Sequence, residues 1–123
     1  MKTIQTNLAP KAIGPYSQAI ENKGLLFTSG QIPLPLEGSD LVGANISEQT
    51  EQVIKNLKAV LEEGGSSLSK VIKTTCFLAD MADFPAFNEV YSRYFTGKPA
   101  RSTVAVKQLP RNALVEIEAI ADI

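Results

Sequence analysis

Residues 46–65 read ISEQTEQVIKNLKAVLEEGG. Val53, Ile54, Leu57, Val60 and Leu61 recur at helical spacing and line one side of the turn, leaving the other side polar. Ser47 is placed as the N-cap, with Ile46 before it. Glu48 and Glu51 fall in the first turns, where carboxylates suit the positive end of a helix. Gly64-Gly65 stops the helix, because glycine accepts the left-handed turn that many helix ends require. An amphipathic helix of this length needs an apolar surface to cover, and the segments on either side supply strands for one.

Reading towards the C-terminus, Val71–Ala79 carries the β-branched residues Val71, Ile72, Thr74 and Thr75 and predicts a strand. Asp83 to Phe95 predicts a second helix. Asp83 is its cap, Pro85 lies in the first turn, where a missing N–H costs nothing, and Gly97 ends it. Phe84, Phe87, Val90, Tyr91 and Tyr94 make its apolar stripe. Two closing strands follow, at about Ser102–Lys107 and Leu114–Ala121, joined through Leu109-Pro110-Arg111-Asn112. Towards the N-terminus, residues 31–45 hold Pro33, Pro35, Gly38 and Gly43 and read as loop. Leu25–Ser29, between Gly24 and Gly30, is a strand, residues 16–20 a short one, and residues 1–14 a lead-in. The order is strand, strand, helix, strand, helix, strand, strand. It predicts an α+β fold in which two helices cover one face of a single mixed sheet.

The 123 residues suit one domain, 1–123, and bury roughly two thirds of the unfolded surface, enough for one core. With a net charge of −1 and no basic block, the chain lacks the electrostatic footprint of a nucleic-acid binder. Its longest apolar run, Cys76-Phe77-Leu78-Ala79, is too short for a membrane span, and the N-terminus shows no secretory h-region. A single Cys allows no internal disulfide and suits a reducing, cytoplasmic location. The absence of His excludes Ser-His and Cys-His nucleophile pairs, and with one Cys it excludes the usual zinc sites. No carboxylate cluster has the loop spacing of an oxygen-ligand metal site, and no glycine-rich phosphate loop is present. Any catalysis falls to Arg, carboxylates, hydroxyls, backbone groups and water.

The last strand is the unusual one. Residues two apart share a face, so Leu114, Glu116, Glu118 and Ile120 lie together, opposite the unbroken apolar set Val115, Ile117, Ala119 and Ala121. The apolar set should meet the helices. Two carboxylates between apolar neighbours need water, a cation or a subunit boundary, and the plainer reading is a solvated outer face. Arg101, after Pro99-Ala100, precedes a strand expected to neighbour the one bearing Glu116, and can take a carboxylate bidentately. Taken singly, Tyr16 reads as a packed ring, Ser29 as a turn residue, Asn88 as an exposed helix residue and Cys76 as a small core residue.

These residues lie in segments that together resemble the RidA (YjgF-type) family. IGPYSQA at 13–19 is similar to its N-terminal motif and TSGQIP at 28–33 to its second. VIKTTCFL at 71–78, FNEVY at 87–91 and Tyr94-Phe95 match its middle. PARST at 99–103, Leu109-Pro110 and VEIEAIA at 115–121 match its C-terminal signature. The blocks occur in family order over nearly the whole chain.

The resemblance implies a chorismate-mutase-like α+β domain with a mixed six-stranded sheet and two helices on one face, assembled as a homotrimer with clefts between subunits. It implies a cofactor-free 2-iminobutanoate/2-iminopropanoate deaminase. Such an enzyme hydrolyses reactive 2-imino acids, formed from enamines such as 2-aminoacrylate, to 2-oxo acids and ammonia. Arg101 would clamp the substrate carboxylate and Glu116 would position or activate water. Tyr16, Ser29 and Asn88 would line the cleft, and the backbone at Thr103 would hydrogen-bond the substrate. Many members carry Cys at the position of Thr103, and the loop before Pro99 is short beside many relatives. The alternatives are a regulatory or chaperone-like trimer without deaminase activity, and an RNA-cleaving translation inhibitor. The missing His and basic stripe argue against the latter.

Overall fold

A computed structural model describes residues 1–123. Six strands form one sheet: β1 (Lys2–Ile4), β2 (Ala19–Asn22), β3 (Leu25–Thr28), β4 (Val71–Leu78), β5 (Ala100–Ala105) and β6 (Val115–Asp122). Two helices, α1 (Ile46–Glu63) and α2 (Phe84–Tyr94), lie together on one face. The sheet order is β1-β2-β3-β6-β4-β5, antiparallel throughout except for the parallel pair β4/β5. Because β4 and β5 are parallel, a crossover must join them, and α2 is that crossover.

The alternation read in the last strand is what the structure contains. Val115, Ile117, Ala119 and Ala121 are buried under the helices, while Glu116, Glu118 and Ile120 are only partly covered on the opposite face. β6 sits centrally, between β3 and β4, so its apolar face is the floor of the core. Val53, Ile54, Leu57, Val60 and Leu61 of α1 and Phe87, Val90 and Tyr91 of α2 close the core from above.

Several local expectations are corrected. The lead-in contains β1, three residues paired with β2, which the sequence hid because so short a strand shows no alternation. The cap of α1 is Asn45 rather than Ser47: the Glu48 N–H donates to Asn45 Oδ1 (2.9 Å), and the Glu48 carboxylate accepts from the Ala44 N–H (2.8 Å). This is a capping box displaced by one residue at one end. At the far end Gly64 keeps a right-handed conformation and Gly65 takes the left-handed one, at φ +83°. Asp83 makes no side-chain cap to α2. Instead Asp80 caps the short 3₁₀ turn Met81–Asp83 that runs into it, accepting from the Ala82 N–H. Phe95, not Gly97, is the C-cap, and Lys98 takes the left-handed turn at φ +53°. β5 begins at Ala100, so Arg101 lies inside the strand. β4 separates β5 from β6, so Arg101 and Glu116 are not on neighbouring strands.

Candidate functional site

The sheet register decides which candidate residues can meet. Cys76 of β4 pairs with Ile117 of β6 and with Thr103 of β5, and paired residues share a face. Ile117 is buried under the helices, so Cys76, Thr103 and, two residues away, Thr74 and Arg101 also point to the helix side. Glu116 pairs with Phe77 and Glu118 with Thr75, and these point away from the helices. Within one chain, Arg101 and Glu116 therefore occupy opposite faces of the sheet.

On the helix side, Arg101 reaches α2. Its Nη1 donates to Asn88 Oδ1 at 2.6 Å. Its guanidinium carbon lies 4.7 Å from the centroid of Tyr91 and 5.4 Å from that of Phe84. The group is half-buried, yet the only ion pair in the chain joins Arg93 to Glu51 (3.5 Å), so no carboxylate neutralises Arg101. A cavity of about 650 Å³ opens beside it, walled by Tyr91 and Phe95 and edged by Ser92, Thr96 and Lys98. Thr103, next along this face, keeps a buried hydroxyl with no hydrogen-bond partner. Cys76 behind it is fully buried, and burial pushes its thiol up to about 11, so it stays protonated and unreactive at neutral pH.

The second cavity, about 570 Å³, lies on the opposite face and holds the remaining candidates, Tyr16, Ser29 and Glu116, together with Glu118, Lys11 and Gln31. Ser29 is fixed by two contacts: its hydroxyl donates to Ser17 O (2.6 Å) and its N–H to Gln18 O (2.9 Å). Gln31 and Ile117 exchange backbone hydrogen bonds (2.8 and 3.1 Å), which carries the Ser29–Gln31 turn across the start of β6. Tyr16 is exposed, its hydroxyl accepting from the Ile13 N–H at 3.3 Å. Glu116 is half-buried; burial first, then the charge of Glu118, hold its carboxyl above the ordinary glutamate range. A Cβ at Gly30 would stand 2.7 Å from Glu116 Oε2, so the carboxylate occupies space that only glycine leaves free.

The six residues singled out in the sequence thus divide into two sets. Arg101, Asn88 and Thr103 stand on one face; Tyr16, Ser29 and Glu116 stand round a cleft on the other. Sequence reasoning missed three contributors. Lys11 lay in an unstructured lead-in. Tyr91 counted only as part of an apolar stripe. Gln18, buried, was not singled out, though it accepts from the Thr6 N–H and donates to Pro10 O, pinning the lead-in against the Tyr16 cleft.

Residues 6–123 match the family described as Endoribonuclease L-PSP. A RutC family protein of Pyrococcus abyssi is 52% identical over 98% of this chain and 95% of its own length. Reactive Intermediate Deaminase A, chloroplastic, of Arabidopsis thaliana is 48% identical over 98% of this chain and 65% of its own length. The crystal structure of E. coli TdcF with bound serine superposes with a TM-score of 0.94 at 39% identity, covering 100% of this chain and 99% of that one.

Proposed function

The chain belongs to the Endoribonuclease L-PSP (YjgF/RutC) family, and on that premise we propose that it is a deaminase of reactive 2-imino acids such as 2-iminopropionate. The observation that carries the reading is Arg101: a half-buried guanidinium, oriented by Asn88, with no carboxylate of its own. A cation kept in that state needs an anion from outside, and the fork of its free N–H groups fits a carboxylate. An α-amino acid in the TdcF structure is a ligand of the same class.

The chemistry asks little more. An imine carbon is already electrophilic, so orientation and a held water are the main requirements. Glu116 takes a proton from water as the oxygen bonds to the imine carbon and passes that proton to the imine nitrogen, giving a neutral carbinolamine. Glu116 then takes the hydroxyl proton of the carbinolamine and delivers it to the amine, so that the C–N bond breaks, ammonia leaves and the carbonyl of the 2-oxo acid forms. A carboxyl whose pKa is raised by burial holds each of these protons between its pick-up and its delivery to nitrogen. Tyr16, Ser29 and the backbone at Thr103 line the site. No step calls for a cofactor.

Because Arg101 and Glu116 lie on opposite faces of one sheet, the site needs Arg101 of one chain beside Glu116 of the next. The helix-free face leaves Phe27 40% and Val104 46% exposed, and β5 is an open edge strand, both features of a surface made for covering. A head-to-tail contact of this kind closes into a ring, and we take the ring to be a homotrimer. The endoribonuclease reading has less support: the chain has no His, and the Glu116 cleft sets two carboxylates against one lysine, a poor seat for a phosphodiester.

The test is to generate 2-aminoacrylate in situ and follow ammonia and pyruvate release. Wild type should accelerate release. Arg101→Lys should be seriously impaired, and Arg101→Ala should lose on the order of 2–5 kcal/mol in kcat/KM. Glu116→Gln should chiefly lower kcat, and all three should melt like wild type. A folded Arg101→Ala that matches wild type would overturn the assignment.

A further inference from the structure

Arg101 is steered by more than Asn88. Tyr91 lies under the guanidinium at 4.7 Å, and its hydroxyl is 2.7 Å from Thr74 Oγ1. Thr74 is fully buried, and it is the cross-strand partner of Arg101 itself in the β4/β5 register. The three residues close a triangle: the β4/β5 ladder fixes Thr74 beside Arg101, the hydroxyl pair fixes Tyr91 to Thr74, and the ring returns to the Arg101 side chain. Phe95 stacks on Tyr91, with centroids 4.3 Å apart and planes 24° apart, and so helps to fix the plane of the ring. Cys76 donates weakly to Thr74 Oγ1 (3.7 Å), so the Thr74 hydroxyl is held from the strand as well as by Tyr91. A hydroxyl pair in the core between a helix and a strand is unusual where an apolar pair would pack as well. This one stands directly behind a half-buried guanidinium that no carboxylate neutralises.

We propose that Tyr91, anchored by Thr74, is a positioning residue that sets the plane in which Arg101 meets a ligand carboxylate. Asn88 holds one end of the fork and the ring holds its face, so the remaining N–H groups are aimed before ligand arrives. The inference rests on the reading of Arg101 as a carboxylate clamp. The carboxylate keeps its charge from substrate through transition state, so losing its alignment weakens both alike and appears in KM rather than kcat.

The experiment measures KM and kcat for 2-iminopropionate, and Kd for pyruvate, in Tyr91→Leu, Tyr91→Phe and Thr74→Val, each also in an Arg101→Lys background. Melting curves accompany every variant. Tyr91→Leu should raise KM about tenfold with kcat within about twofold. Thr74→Val and Tyr91→Phe should raise KM about threefold, the worth of one modest hydrogen bond. In the Arg101→Lys background, where there is no planar fork to align, all three should add little. A purely structural role would lower melting temperature and leave KM in place, and that result in folded Tyr91→Leu overturns the proposal. If Tyr91→Leu does not fold, unchanged KM in both Tyr91→Phe and Thr74→Val overturns it equally. Should Arg101→Ala itself bind pyruvate and turn over like wild type, the clamp is wrong and the inference falls with it. Impaired Arg101→Ala beside unaffected Tyr91 and Thr74 variants refutes the positioning role alone.

Discussion

At Gly30 the site depends on a missing methyl group. The backbone φ there is one that any residue adopts, so alanine is conformationally acceptable. Its Cβ, however, would lie 2.7 Å from Oε2 and 2.8 Å from Cδ of Glu116. What must move is the end of a flexible side chain rather than backbone, so Gly30→Ala should fold with a nearly unchanged melting temperature. Its kcat should fall on the order of 10- to 100-fold, because the carboxylate is displaced from its water. Glu118 offers a second handle on the same group. Glu116 must be ionised to act, so activity is lost as pH falls through its raised pKa, above the ordinary 4.5. Glu118→Gln removes one of the two causes of that elevation and should shift the acid limb of the kcat profile to lower pH; an unmoved or upward-shifted limb contradicts the role given to Glu116. The stability term has the opposite sign. The folded chain binds this proton more tightly than the unfolded one, so the contribution is full below pH 4.5 and is lost as pH rises through the folded value.

At the scale of elements, α1 does more than cap the core. Asn56, 1% exposed, donates to Ile32 O (3.1 Å) and Leu34 O (2.9 Å), and Gln49 donates to Gly43 O (3.2 Å) while accepting from the Leu114 N–H (2.8 Å). The helix thereby grips both ends of the 32–43 loop and the chain entering β6, so the Ser29–Gln31 turn stays over Glu116. Asn56→Leu should remove two hydrogen bonds to the loop, leaving Ile32 O only the Leu34 N–H (2.8 Å) and Leu34 O only a long Gln52 contact (3.5 Å), and cost about 1–3 kcal/mol, read from the midpoint of a denaturant titration. A change below a few tenths would show that the loop is held elsewhere. Here the sequence was only partly legible. The apolar stripes of α1 and α2 and the alternation of β6 announce themselves, because burial on one face imposes a period on neighbouring residues. Asn56 and Gln49 lie beside the stripe, seven residues apart, and read as ordinary surface; apart from Gly43 O, the backbone groups they hold are 22, 24 and 65 positions away. The strand order was illegible for the same reason. Nothing local in Arg101 or Glu116 says that β4 will lie between their strands, and the inference that the strands were neighbours failed there. The resemblance of the motifs to the RidA family did survive, since it depends on residue identity at spaced positions rather than on register.

At the scale of the whole molecule, the division of candidate residues between two faces makes a prediction that no single-chain site could satisfy. If Arg101 of one subunit serves Glu116 of the next, an Arg101→Ala trimer and a Glu116→Gln trimer are each inactive for a different reason. In a ring of three with both kinds of subunit, going round in one direction, there is always one boundary where a subunit with intact Glu116 meets one with intact Arg101. Co-expressing the two variants and isolating the mixed assemblies should therefore restore about a third of wild-type turnover per mixed trimer, with the KM of wild type. Sedimentation equilibrium on the wild-type protein should first show a trimer. Were Arg101 and Glu116 to act within one chain, every site in a mixed trimer would lack one of them and mixing would rescue nothing. Persistent inactivity in mixed trimers of proven composition would return both residues to a single chain, where the sheet itself stands between them.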